Sequence, residues 1–79
     1  MMARGLEVEC YAGYRADERP LALRHEGRRV AVRQLHDTWH DPDHTYFTLT
    51  GEDGLLYTIR HDRAADAWEL IRTQRPPGR

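Results

Sequence analysis

From Leu6 onward, apolar and polar side chains alternate with a period close to two, the rhythm of half-buried β-strands. Leu6, Val8, Cys10 and Ala12 alternate with Glu7, Glu9 and Tyr11. The polar run Arg15-Ala16-Asp17-Glu18-Arg19-Pro20 ends that strand, and Pro20 biases Arg19 towards extended geometry at the entry to the next. Leu21 and Leu23 then alternate with Ala22 and Arg24, and Glu26-Gly27 forms a tight turn, since glycine accepts φ > 0 without a Cβ clash. Val30 and Val32 alternate with Arg29, Ala31 and Arg33. After Gln34 the apolar phase slips to Leu35 and then Trp39, which predicts a β-bulge or a strand bent across a barrel corner.

Asp41-Pro42-Asp43 is a turn in which aspartate side chains bond nearby backbone and proline fixes φ. The run Tyr46-Phe47-Thr48-Leu49-Thr50 has the β-branched and aromatic character of a strand. Gly51-Glu52-Asp53-Gly54 is the strongest hairpin loop, followed by Leu55, Tyr57 and Ile59 in alternation with Leu56, Thr58 and Arg60. His61 to Ala67 reads as a longer loop or one helical turn, and Trp68 and Leu70 begin a last strand ending near Arg72. The pattern therefore predicts an all-β (mainly β) domain over residues 6–72. It is a small, strongly twisted antiparallel meander or barrel of about five to six strands. Residues 1–5 read as a flexible N-terminus and 73–79 as a disordered tail. The predicted core is Leu6, Val8, Cys10, Leu21, Leu23, Val30, Val32, Leu35, Phe47, Leu49, Tyr57, Ile59, Trp68 and Leu70.

Size limits what this architecture can enclose. For 79 residues, surface scaling gives about 5,000 Å² folded against roughly 13,500 Å² extended. That allows one thin core and favours a shallow surface site or an interface over a deep active site. The single cysteine, Cys10, allows no disulfide within the chain and no cysteine-type zinc site, and its inward phase marks it as core. There is no serine to act as a nucleophile. Met1–Gly5 lacks an apolar signal-like run and no stretch approaches membrane-spanning length, so the chain reads as soluble and cytoplasmic, without a membrane partner.

The formal net charge is −1, so no global field draws the chain to nucleic acid. All 12 basic residues are arginine, each a planar fork suited to carboxylate, phosphate or aromatic partners. Arg28, Arg29, Arg33 and Arg60 fall at outward or strand-end positions, and Trp39 and Tyr46 flank the Asp-Pro-Asp turn. Trp, Tyr and Arg on a β surface suit a protein interface; small barrels hold single-stranded nucleic acid with similar residues. Glu7, Glu9 and Glu69 dilute any basic face, which favours a protein as partner.

His36, His40 and His44 recur every four residues among Asp37, Asp41 and Asp43. On a helix such histidines share a face and can hold a metal ion. Pro42 argues against a helix, and along one strand His36 and His40 would lie ~13 Å apart. Only His40 and His44, flanking the turn, could meet an ion, with Asp41 or Asp43 as a third ligand. His61 beside Asp62 has the elements of an oriented general base, although a satisfied structural histidine is the commoner outcome.

Several segments together resemble a family of small bacterial domains of unknown function. They are Arg19-Pro20, Gly27-Arg28-Arg29 before Val30, Leu35 with Trp39, Tyr46-Phe47-Thr48-Leu49, Asp53-Gly54, Tyr57-Thr58-Ile59-Arg60-His61-Asp62 and Trp68-Glu69-Leu70. Such segments occur as free-standing short proteins and as appendages of proteins resembling error-prone DNA polymerases. The resemblance covers about three-quarters of the chain and brings no catalytic residue; it implies a β fold and an accessory binding role in DNA repair. The expectation is thus a non-enzymatic interaction module without a cofactor. It binds a protein, or a second copy, through Trp39, Tyr46, Arg28, Arg29, Arg33 and Arg60. Single-stranded nucleic-acid binding by that face, and metal binding by His36, His40 and His44, are the alternatives.

Overall fold

The computed structural model describes residues 6–10 and 19–76. Six strands follow one another: β1 (Glu7–Cys10), β2 (Pro20–His25), β3 (Arg28–His40), β4 (His44–Gly51), β5 (Leu56–Asp62) and β6 (Ala67–Gln74). They pair in sequence order as one antiparallel meander, as the two-residue rhythm predicts. The sheet curls strongly enough that Leu6, just ahead of β1, makes an antiparallel bridge to Trp68 in β6. No described helix is long and apolar enough to cross a membrane.

The inner face carries Leu6, Leu23, Val30, Phe47, Leu49, Tyr57 and Ile59, all buried, with Val8, Val32, Leu35, Leu55, Trp68 and Leu70 half-buried against them. Leu21, predicted to be core, is 48% exposed. Its displacement has a definite cause. Glu9 faces Ala22 whereas Cys10 faces Pro20, so Leu21 is an extra residue with no partner on β1. A bulged residue leaves the ladder and its side chain leaves the regular alternation. Ala22 is fully buried instead, on the opposite face. The Glu9–Arg29 ion pair passes across β2 on that side. Cys10 is half-buried at the end of β1.

The same construction recurs along the long β3. Val32 faces Gly51 and Gln34 faces Thr50, leaving Arg33 extra; Leu35 faces Leu49 and Asp37 faces Thr48, leaving His36 extra. The predicted phase slip after Gln34 is therefore two bulges, not one. In β6, Arg72 faces Thr58 and Leu70 faces Ile59, so Ile71 is extra and 45% exposed. Two further differences are modest. His61 and Asp62 continue β5, facing Trp68 and Ala67, and the link to β6 is a turn without a helix. β6 runs on to Gln74 because Thr73 and Gln74 pair with Tyr57 and Leu56, so the ordered domain extends two residues past the predicted boundary. Ala12, the predicted N-terminal segment 1–5 and tail residues 77–79 lie outside the described residues.

Two turns are held by aspartates. At the β4–β5 loop, Asp53 accepts from the Tyr57 hydroxyl at 2.6 Å, the Leu55 N–H at 3.1 Å and Arg28 at 3.3 Å. Burial of Tyr57 and the adjacent carboxylate push its hydroxyl up to about 12. The loop closes against β3 through the Glu52 N–H, which donates to the Ala31 carbonyl at 2.8 Å. Gly51 sits in the resulting corner. A Cβ there would lie 2.5 Å from Val30 Cγ1, 2.8 Å from Asp53 Oδ1 and 3.0 Å from Tyr57 Cε1. Gly51→Ala is therefore expected to destabilise the domain by about 1–3 kcal/mol through overpacking. A thermal melt should show Tm lowered by at least about 4 °C; an unchanged Tm would refute this packing.

Candidate functional site

Opposite residues of an antiparallel ladder share a face. Tyr46 alternates with the buried Phe47 and Leu49, so the row Trp39–Tyr46–Arg60–Glu69 runs across β3, β4, β5 and β6 on the outer face. Trp39 and Tyr46 stack with ring centroids 5.3 Å apart and planes 2° from parallel. Such a pair contributes ~0.5–1.5 kcal/mol beyond area burial, which helps hold the platform together. Trp39 nevertheless remains 43% exposed.

The platform is pinned from one end by Asp41. Its carboxylate accepts from the Tyr46 hydroxyl at 2.8 Å, the backbone N–H groups of Asp43 at 2.8 Å and His44 at 2.6 Å, and the His44 ring at 3.2 Å. Desolvation works to raise the Asp41 pKa, but the converging donors outweigh it and hold the carboxyl down at about 2. Arg63, reaching over from the β5–β6 turn, donates to the Asp41 carbonyl at 3.0 Å, the Pro42 carbonyl at 2.6 Å and Thr45 Oγ1 at 3.1 Å. The Asp-Pro-Asp sequence signals the turn, but neither the Tyr46 bond nor the Arg63 clamp is visible without the β4–β5–β6 register.

Of the four arginines nominated from the sequence, the structure brings only Arg60 to the platform. Arg60 is held by Glu69, directly opposite on β6, through Nε at 2.7 Å and its terminal nitrogen. Arg29 makes a two-pronged pair with Glu9, both contacts at 2.9 Å, and Arg24 adds longer contacts to Glu7 and Glu9 at 3.8 Å. Arg28 lies over Asp53 in the β4–β5 loop. Arg33 is one of the two exposed bulge residues of β3. The carboxylates thus divide the arginines into local pairs and leave no continuous basic stripe among the described residues.

The three histidines separate. His36, in its bulge, bonds Thr50 Oγ1 at 2.7 Å; His40 bonds Thr45 Oγ1 at 3.3 Å; His44 turns to Asp41. His40 shares a face with Thr45, and His44, next along β4, lies on the other. This alternation keeps the three apart, and among the described residues no group of three or more His, Cys, Asp or Glu is placed to hold an ion. His61 bonds Asp66 Oδ1 at 2.8 Å and packs on the Trp68 ring at 4.4 Å. Asp62 caps the turn through the N–H groups of Ala64 and Ala65, so it does not orient the His61 ring. On the inner side, a recess of about 130 Å³ beside Leu6 and Leu70 has the His25-Glu26 turn and Arg28 as its polar lining.

No family model, curated protein or solved structure matches this chain.

Asp41 couples the platform to pH with a definite sign. Its folded pKa lies below the ordinary 3.8. Its stabilisation is therefore fully present above about pH 4 and is lost as pH falls towards about 2. Asp41→Asn is expected to be less stable than the wild type at pH 7, with the gap shrinking between about pH 4 and 2. Urea unfolding at stepped pH checks this, and a gap constant with pH would contradict it.

Proposed function

We propose that this domain is a non-enzymatic interaction module that docks a partner protein on the outer face of β3, β4 and β5, centred on Trp39 and Tyr46. One observation carries the reading. Among the described residues, the large exposed apolar ones are Leu21, Ile71 and Trp39. Leu21 and Ile71 are exposed because they are bulged, whereas Trp39 sits in regular register opposite Tyr46. A stacked tryptophan with nearly half its surface in water, fixed by a neighbouring tyrosine and polar clamp, fits the rigid aromatic anchors of protein interfaces.

Charge favours protein over nucleic acid, because Arg28, Arg29 and Arg60 are each engaged by a carboxylate. A single-strand binder needs a positive groove along the backbone path. Shape favours a different protein over a second copy: the outer face of a curled sheet is convex, and two convex faces meet over little of the roughly 1,000 Å² that a stable interface needs. The resemblance to small domains appended to polymerase-like proteins fits an accessory binding role. A cytoplasmic setting belongs to the same proposal and rests on the polar, single-cysteine composition.

The test is affinity capture from lysate of the source cells, followed by titration of whatever binds. Trp39→Ala should weaken the captured complex by about 30-fold, the usual scale for a central interface tryptophan. Arg29→Ala, on another part of the sheet, should leave it intact. A complex equally tight with Trp39→Ala would exclude this face.

A further inference from the structure

On the outer face, one acidic side chain beside the platform has no partner among the described residues. Asp37 faces Thr48, so it shares the outer face with Trp39 and lies two residues before it on β3, about 7 Å along the strand. It is exposed, and its carboxylate makes no hydrogen bond or ion pair with any described residue. Two other charges at the platform are engaged. Arg60 is neutralised by Glu69, and Asp41 is saturated by the turn and by Tyr46. Arg72, on the Asp37 row, is three strands away, about 14 Å.

An indole with exposed surface and an unpaired carboxylate one side-chain length away form a complementary pair of contacts for a planar cation. The ring quadrupole attracts a cation over its face, with tryptophan the strongest of the aromatic receptors. A guanidinium can stack on that ring while its fork binds a carboxylate. The Tyr46 hydroxyl, donating to a fully ionised Asp41, adds electron density to the stack beneath Trp39.

We propose that the partner of this face presents an arginine, whose guanidinium stacks on Trp39 and pairs with Asp37. This rests on the interaction reading and adds the chemistry of the partner. The occupant is an exposed, arginine-bearing segment of another protein, which can lie across a convex face where a second copy of the domain meets it poorly.

The probe is a short glycine-flanked peptide with two arginines, titrated while the Trp39 indole N–H and Thr48 amide are followed by NMR. The arginine peptide should shift both signals saturably, and the same peptide with citrulline, neutral and nearly isosteric, should bind at least about tenfold more weakly. Asp37→Asn should weaken the arginine peptide by at least about threefold, and Trp39→Ala should abolish the Thr48 shift. Equal binding of the citrulline peptide, or no effect of Asp37→Asn, would overturn the cationic partner. The interaction face would then still stand if the captured protein continued to require Trp39. Absence of any shift with the arginine peptide would likewise overturn the inference. Stronger shifts with oligothymidylate would overturn it together with the protein reading. Self-association by light scattering that is lost in Asp37→Asn would assign the arginine to a second copy and overturn the heterologous source.

Discussion

A strand's side chains change face at every residue, so one extra residue in a ladder reverses everything after it. In this domain the decisive extra residue is His36. Leu35 and Trp39 are four positions apart and would share a face in an unbroken strand. Leu35 packs inward opposite Leu49; Trp39 stands outward opposite Tyr46. The His36 bulge, fastened by the bond from its ring to Thr50, separates them. Without it the indole would enter a core already filled by Phe47 and Ile59, and the outer face would lose its exposed ring. The bulges at Arg33 and His36 also bend β3, letting it pair with β2 at one end and β4 at the other.

Polar chemistry finishes what the bulges begin. Asp53 and Asp41 stand at opposite ends of β4; each gathers at least one backbone N–H, a tyrosine hydroxyl and a basic side chain. Tyr57 ties its aspartate to the inner core, while Tyr46 ties the other to the outer stack. The two turns are thus built on similar principles yet serve different faces. Ionised carboxylates with three or more donors hold loop geometry more firmly than turn propensity alone. That rigidity holds the stacked ring pair in place on the outer face.

Much of the fold can be read in the chain because alternation is a local signal. The strands, the Glu26-Gly27 and Gly51–Gly54 turns and most of the core follow from it. What escapes is the consequence of bulges, which depend on the partner strand. Leu21 looks identical to Leu23 in the sequence and becomes exposed through its missing partner on β1. The slip from Val32 to Leu35 reveals one bulge, but nothing near His36 announces the second. The four-residue histidine spacing likewise suggests a cluster that the pleat then divides between two faces. At the site, Trp39, Tyr46 and Arg60 are legible as residue types, whereas Asp37 gains meaning only from the register that sets it beside Trp39. The pairing of Arg29 with Glu9 and Arg60 with Glu69 matches the sequence's expectation that its acids would interrupt a basic face.

The outward placement of Trp39 can be measured directly with single-tryptophan variants. In Trp68→Phe, the remaining Trp39 should emit at a solvent-exposed wavelength and be readily quenched by acrylamide. In Trp39→Phe, the remaining Trp68, packed on Phe47 and His61, should be distinctly more protected. A Trp39 as shielded as Trp68 would mean that the His36 bulge does not turn the strand over and that the proposed contact face does not exist.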